Sequence, residues 1–349
     1  MSFIKPAFRH PNLPKNALGH TVADYDGAIS TLCAGCGHDS ISAAIQAACF
    51  KSSIPPHRIA KLSGIGCSSK MPTYFLGRSH GFNSVHGRMP SVATGASLAN
   101  SKLTYIGISG DGDTASIGMG QFIHLIRRNV NMTYIVANNG CYGLTKGQDS
   151  ATADLGSVSK YGATNPFDGI DLASLALLQG ASFVGRSFSG DKDQLEPLIQ
   201  GALAHNGFAF IDVVSPCVTF NNHAGSTKSY AETRAHLDAM PLDLVPMRDE
   251  IRTQYDAGTS QAVTLHDGSV IHLHKAASSY RTDDRHAAMN AVHQAKDEGR
   301  ILTGLLFLDP DSQNLNQNLN LATRPLNELG KDELCPGSRV LKSINEGLR

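Results

Sequence analysis

The chain reads as an α/β protein with a doubly wound, mostly parallel sheet, helices on both faces, and a C-terminal extension. Two observations predict this. Short β-branched runs alternate with helical patterns from about residue 40 to residue 214, as in a parallel sheet built from strand–helix–strand units. The polar, glycine-rich stretches fall where those strands finish, and there open α/β sheets bind ligands. Residues 104–148 show both features at once. Residues 105–109 are a strand, and Gly110-Asp111-Gly112-Asp113 turns the chain. Ile117, Met119, Phe122, Ile123, Leu125 and Ile126 then recur mostly at helical spacing through 116–128, and 133–137 is a second strand ending at Asn138-Asn139.

The remaining elements follow in order. Residues 1–30 carry prolines without a clear period and are expected to form an extended arm over a neighbouring surface. A turn containing Cys33, Cys36 and His38 precedes an Ala-rich helix at 40–50, and a strand at 58–63 ends in Gly64-Ile65-Gly66-Cys67-Ser68-Ser69-Lys70. Residues 80–90 read as a Gly- and His-rich loop, and 91–100 as a small-residue helix packed closely on the sheet. Residues 149–165 are a polar loop, expected to cover a ligand. Helices at 171–180 and 191–205 flank a strand at 182–186, and the strand 208–214 stops at Ser215-Pro216-Cys217. About five strands are expected. After residue 230 the texture changes: a β-hairpin signal spans 263–274, a helix 285–299 and a strand 301–308, while 309–321 and 325–349 look like an extended tail. The expected organisation is an arm (1–30), a ligand-binding domain (31–230) and a partner-contacting extension (231–349).

Composition narrows the function. At 349 residues the chain can bury a sizeable core. Thirty Lys and Arg balance thirty Asp and Glu, which removes the basic footprint of a nucleic-acid binder. No apolar run has membrane-spanning length, and the amino terminus lacks the apolar core of a signal peptide, so a cytoplasmic location is expected. In that compartment the seven cysteines should be thiols or ligands and not disulfides.

The first strand end offers glycines, so backbone N–H groups at a helix start can approach a phosphate. Asp111 and Asn139 supply two hard oxygen ligands of the kind Mg²⁺ takes beside a diphosphate. A lone GDG is equally well a plain turn. GDG, residues 113–137 and then Asn138-Asn139 together are more specific, and resemble the thiamine diphosphate motif. That resemblance implies Mg²⁺ on Asp111, Asn139 and the backbone carbonyl of Cys141.

Cys33, Cys36, Cys67 and Cys217 each sit in a Gly-, Ser- or Pro-containing turn beside a strand or helix end. Cys49 reads as a small buried apolar residue and Cys335 lies in the tail. Four thiolates could hold zinc or an iron–sulfur cluster. Structural zinc favours two local pairs, and only one pair is local here. By spacing alone, cluster, zinc and coincidence stay open. The adjacent thiamine motif favours the cluster.

Cys33-x-x-Cys36-Gly37-His38, Gly66-Cys67-Ser68-Ser69-Lys70, Gly110-Asp111-Gly112-Asp113, Asn138-Asn139-x-Cys141-Tyr142-Gly143-Leu144 and Ser215-Pro216-Cys217 occur here in one order. Over residues 30–225 they resemble the β subunit of 2-oxoacid:ferredoxin oxidoreductases, especially the 2-oxoglutarate type. The resemblance implies a thiamine diphosphate-binding fold, with a [4Fe–4S] cluster on Cys33, Cys36, Cys67 and Cys217 beside Mg²⁺–thiamine diphosphate. It implies that 2-oxoacid, coenzyme A and oxidised ferredoxin give acyl-CoA, CO₂ and reduced ferredoxin, reversibly enough to fix CO₂. His38 then matches a polar position near the aminopyrimidine. Ile65, Gly66, Cys67 and Ser68 would line the thiamine. Gly110, Asp111, Gly112, Asp113, Asn139, Cys141, Tyr142, Gly143 and Leu144 would enclose diphosphate and metal. The glutamate that activates the pyrimidine belongs to the α subunit, so the active unit is expected to be αβ, doubled.

Lys70, three residues after Cys67, is expected to read the distal carboxylate of 2-oxoglutarate from a partly desolvated pocket, with Leu144 on its apolar side. Most lysines are surface residues, which is the plainer reading. His86-Gly87-Arg88 is open in the same way: a cation near the substrate or a hydrated loop. Three rivals remain: a pyruvate-type enzyme, an electron-transfer subunit keeping only the cluster, and a non-redox thiamine decarboxylase. Intact Asp111 and Asn139 disfavour the second, and the four cysteines disfavour the third.

Overall fold

The computed structural model describes residues 13–145, 147–157, 163–218, 249–265, 269–335 and 337–348. Its strands are β1 (Ile59–Ser63), β2 (His80–Asn83), β3 (Thr104–Gly110), β4 (Met132–Asn138), β5 (Cys141–Tyr142), β6 (Gln148–Asp149), β7 (Phe183–Phe188), β8 (Phe208–Val214), β9 (Ser260–Thr264), β10 (Val270–Lys275) and β11 (Ile301–Leu308). Among the described residues nine of them form one sheet, in the order β2-β1-β3-β4-β8-β7-β11-β10-β9, and β5 pairs with β6 in a small hairpin. The first six are mutually parallel. β11 joins β7 antiparallel, β10 runs parallel to β11, and β9 is antiparallel to β10. The doubly wound reading holds, but the sheet is larger than about five strands.

The central strands are buried on both faces, so their sequences are predominantly apolar, with buried exceptions such as Lys61 and Asp212. Tyr134, Phe208 and Phe210 point to one face. There they meet α2 (Met89–Ala99), α3 (Met119–Arg128), α4 (Leu172–Leu178) and α6 (Arg285–Asp297). Ile135, Ala137, Ala209 and Ile211 point to the other, under α1 (Gly37–Lys51) and α5 (Lys192–Ala204). β2 follows β1 on one side of it while β3 returns on the other, which makes a topological switch point at the carboxyl ends of β1 and β3.

Three expectations are corrected. The 80–90 segment begins as edge strand β2 and not as loop. All four of its residues are exposed and it pairs only with β1, so its sequence carries neither alternation nor β-branching. The described arm residues 13–30 pack on their own chain: Asn16 Nδ2 donates to the Tyr25 hydroxyl and the Phe50 carbonyl. The tail is partly helical, in α7 (Leu315–Asn318), α8 (Lys331–Leu334) and α9 (Ser338–Gly347). The predicted hairpin is present as β9 and β10; its turn at 266–268 lies outside the described residues, as does 158–162 of the cover loop.

Candidate active site

Loops at the ends of β1, β2, β3 and β4, with the start of α1, line one narrow, partly open cavity. His38, Ile65, Gly66, Cys67, Ser68, Gly110, Asp111, Gly112, Asp113, Asn139, Cys141, Tyr142, Gly143 and Leu144 all line it, joined by His86, Ala137 and Thr145. Sequence separation hides this convergence, because these strands must be laid side by side before it exists.

Asp111 is the most enclosed acid of the site, 1 % exposed. Thr152 Oγ1 (2.7 Å) and Ser150 Oγ donate to its Oδ2, and the Asn139 N–H donates to Oδ1 at 3.3 Å. Burial pushes its carboxyl above the usual range, and these donors oppose that. Asn139 Oδ1 accepts from the Cys141 N–H at 3.2 Å, which fixes the side chain at the mouth of the β5 turn. Asp113 accepts from the Gly87 N–H (2.7 Å) and Ser109 Oγ (3.0 Å), so it braces the loop and the strand end. Gly112 is required by close approach: a Cβ there would lie 2.5 Å from the Tyr142 ring, whose hydroxyl donates to the Gly112 carbonyl at 2.9 Å. Gly66 has φ +145°, a conformation reserved to glycine. A buried acid, an amide oxygen and a wall without side chains fit a diphosphate with its cation. Ser150 and Thr152, the hydroxyls that hold Asp111, were legible only as part of a polar cover.

The cysteine turns lie alongside. The Cys36 N–H donates to the Cys33 carbonyl at 3.1 Å, and Cys36 caps α1. Cys67 precedes the 3₁₀ turn Ser68–Thr73, and Cys217 follows β8. Burial raises the Cys36 thiol, and nearby Cys217, Cys33 and Cys67 raise it further. Cys67 is raised by burial and by Cys217 and Cys33, while Lys70 pulls it down. The four sulfurs therefore feel one another. Among the described residues no three His, Cys, Asp or Glu side chains converge as ligands of a single ion. Cys49 is buried in α1 and Cys335 is exposed.

His38 Nδ1 sits 3.0 Å from Ser215 Oγ and 3.2 Å from Cys36 Sγ, and burial lowers its pKa to about 4, so it is neutral at physiological pH. Lys70 differs from expectation. It is exposed in this chain and does not line the cavity, although its charge reaches Cys67. Arg88 donates to the carbonyls of Gly87 and Ile117, whereas His86 faces the cavity. A larger cleft opens beyond Asn138 and Asn139. It holds buried Arg186 between Asp171 (2.6 Å) and Asp212 (3.0 Å).

Comparison with known proteins agrees with this geometry. The thiamine pyrophosphate enzyme C-terminal TPP-binding domain matches residues 64–213. The chain is 41% identical over 211 residues to the 2-oxoacid:ferredoxin oxidoreductase subunit beta of Saccharolobus solfataricus, covering 60% of this chain and 68% of that one. It is 40% identical over 194 residues to the 2-oxoglutarate oxidoreductase subunit KorB of Mycobacterium tuberculosis, covering 54% and 51%. Among solved structures it is similar to a 2-oxoglutarate:ferredoxin oxidoreductase from Magnetococcus marinus with 2-oxoglutarate, coenzyme A and succinyl-CoA bound. That likeness has a TM-score of 0.69 at 31% identity, over 86% of this chain and 89% of the other. With a thiamine-type pocket at its switch point and this degree of identity, the chain belongs to the β subunits of the 2-oxoacid:ferredoxin oxidoreductases.

Proposed function

We propose that this subunit, joined to an α subunit, converts 2-oxoglutarate and coenzyme A to succinyl-CoA and CO₂ while reducing ferredoxin through a [4Fe–4S] cluster, and that the reaction also runs toward CO₂ fixation. One observation carries the reading. Cys67 lines the thiamine cavity and lies near enough to the other three cysteines for their charges to act on one another, so a cluster held by the four would share a residue with the thiamine site. Thiamine diphosphate, when bound, supplies the nucleophile and electron sink for decarboxylation, and a cluster supplies a one-electron acceptor.

The chain's own residues have the following roles. Asp111 and Asn139, with the Cys141 carbonyl, would hold Mg²⁺, and Ser150 and Thr152 keep Asp111 oriented. Gly110 and Gly112 let the backbone reach the diphosphate. His38 forms a neutral wall near the aminopyrimidine. Cys33, Cys36, Cys67 and Cys217 would hold the cluster. Lys70 is assigned to the distal carboxylate of the substrate, and its exposure here is in keeping with a pocket whose second wall comes from the α subunit. Phe82, Val85, Ile117 and Leu144 are exposed. Leu144 lines the cavity itself, and Val85 and Ile117 adjoin its residues His86 and Asp113 through the Gly87 and Arg88 contacts. Large apolar side chains in such a place suit a protein partner. Residues 31–230 are the cofactor-binding unit and 231–349 a partner-contacting extension; a cytoplasmic location suits cysteines outside disulfides and a ferredoxin partner. Among the described residues no helix is long and apolar enough to cross a membrane.

The test is anaerobic copurification with the α subunit, followed by a panel of 2-oxoacids with a viologen acceptor and iron and sulfide analysis. Equal iron and sulfide with preference for 2-oxoglutarate is expected. Stoichiometric zinc without sulfide, or viologen reduction by pyruvate alone, would reject the corresponding part.

A further inference from the structure

Lys61 lies in the middle of β1, between fully buried Ala60 and Leu62, and is itself only 6% exposed. Placing a lysine in a strand core is expensive, and burial pulls its pKa down to about 8. An apolar side chain would suit the strand better if the ammonium had no task. Its Nζ donates to the carbonyls of Pro72 (2.5 Å), Phe75 (2.6 Å) and Leu76 (3.1 Å), and it lies 5.2 Å from the centre of the Phe75 ring. The Pro72 carbonyl lies in the last residues of the turn Ser68–Thr73, which follows Cys67 and carries Lys70, and the Phe75 and Leu76 carbonyls lie just beyond its cap Tyr74. The ammonium thus gathers the carbonyls that close this turn and lead out of it; the Leu76 carbonyl also accepts from the Ser79 N–H (3.0 Å) and hydroxyl (2.7 Å).

The opposite side of the same segment is bonded to the amino-terminal arm. The Leu76 and Gly77 N–H groups donate to the carbonyls of Tyr25 (2.7 Å) and Asp26 (2.8 Å), the Ala28 N–H donates to the Thr73 carbonyl (3.0 Å), and the hydroxyls of Thr31 and Tyr74 meet at 2.6 Å. The arm runs directly on to Cys33. So segment 72–77 lies between the arm leading to Cys33 and Cys36 and the β1 strand leading to Cys67, with Lys61 as its inner tie.

We infer that Lys61 is a positioning residue, whose ammonium holds the turn of residues 67–76 in the orientation that presents the Cys67 thiol to the other cysteines and Lys70 to the substrate. This rests on the assignment of Cys67 and Lys70 above. It acts through the carbonyls it binds, not by touching substrate.

The experiment compares Lys61→Met and Lys61→Arg with the unaltered full chain, alone and complexed with the α subunit. In the cluster-free chain, alkylation of each cysteine by iodoacetamide is followed by mass spectrometry. Lys61→Met should label Cys67 about tenfold faster, the local opening expected from loss of one charge-assisted hydrogen bond, with Cys335 unchanged. Lys61→Arg should restore most of the protection. In the complex, Lys61→Met should lower kcat/KM for 2-oxoglutarate about tenfold, while calorimetric thiamine diphosphate affinity stays within about twofold. Unchanged Cys67 labelling overturns the inference, and so does equal acceleration at Cys49, which would mean general loosening. If Lys61→Met is not recovered folded, Lys61→Gln, neutral but still a donor, decides by the same comparison. If Cys67 labelling responds as expected but the unaltered chain takes up no cluster or ignores 2-oxoglutarate, the functional reading falls and the role of Lys61 stands.

Discussion

The six parallel strands and the carboxy-terminal addition β11-β10-β9 share one sheet, yet they do different work. Every residue lining the thiamine cavity lies at or after the carboxyl ends of β1, β2, β3 and β4, or at the start of α1. The addition sends none there. Its contacts are structural: Lys275 pairs with buried Asp191 at 2.7 Å and lies 4.3 Å from the Tyr255 ring centre, and Thr303 bonds Gln194 and Tyr255. Parallel strands gather their carboxyl ends, and the helix starts that follow them, on one edge of the sheet. Chemistry collects there because backbone donors collect there. β11 and β10, antiparallel to the first six strands, point their own carboxyl ends away from that edge, and the residues the addition does bring near it, Leu265, Ile271, Arg300 and Ile301, line the larger cleft and not the thiamine cavity.

The sharpest way to break this comparison is Asp111→Ala. It should abolish Mg²⁺-dependent thiamine diphosphate binding, measured calorimetrically, and with it activity of the αβ complex. Stability should be preserved, because burial already strains that carboxylate upward in pKa and its loss leaves hydroxyls that can bond one another. A large fall in unfolding free energy would mean that the site edge is structural after all.

Arg186→Met comes next and should do the reverse. It strands Asp171 and Asp212 without their cation and should cost about 3–5 kcal/mol in urea unfolding, since breaking a buried pair leaves uncompensated charge. Burial pushes Asp171 up, but the Arg186 charge and hydrogen bonds outweigh it and hold its carboxyl below the ordinary range. A depressed carboxyl stabilises the fold above its unfolded pKa, and that share is lost as pH falls through the lowered value. Asp212 works in the opposite sense, its carboxyl raised by burial. The deficit of the variant should therefore shrink toward acid pH, where protonation neutralises the stranded groups. A deficit independent of pH would point to lost packing instead.

The same contrast explains what the sequence discloses. Asp111, Asn139 and the glycines are local motifs at the ends of apolar runs, so both element and role are visible from neighbours in the chain. β4 and β8 are equally plain, because a strand buried on both faces is largely apolar, Asp212 being the exception that Arg186 pairs. β2 is not, since an exposed edge strand needs only backbone pairing. Ser150 and Thr152 look like any polar loop until Asp111 is placed beneath them. The task of Lys61 has no local signature, because its three carbonyl partners lie 11 to 15 residues away and carbonyls leave no mark in the sequence. The antiparallel entry of β11 depends on a pairing with β7 more than a hundred residues earlier, and no short-range pattern encodes it.

Lys70→Ile sharpens the comparison within the site edge, separating substrate reading from cofactor binding. In the αβ complex it should lower kcat/KM for 2-oxoglutarate by about one to two decades, the worth of a charge-assisted contact of roughly 1.5–3 kcal/mol, with pyruvate held or improved. Cofactor affinity should not change, because Lys70 is outside the thiamine cavity. Equal losses for both substrates would remove Lys70 from specificity.

The smallest effect is expected at the far end of the addition. In α9, Val340, Leu341 and Ile344 are 41%, 59% and 55% exposed, Leu348 just beyond it is 81% exposed, and none of the helix's residues is buried. Apolar side chains stabilise a fold only by the area they remove from water, and these remove little. Replacing Leu341 and Ile344 together by glutamate should change the unfolding free energy of the isolated chain by no more than about 0.5 kcal/mol each, the range of ordinary surface substitutions. Leu306 in β11 is the internal standard. It is fully buried in the core shared with α4 and α6, and Leu306→Ala should cost about 2–5 kcal/mol. Measured side by side in urea, the two variants locate where the addition stops contributing burial. If the glutamate pair costs as much as Leu306→Ala, the stabilising core extends through the tail, and the boundary of the addition's buried part must be redrawn to include α9.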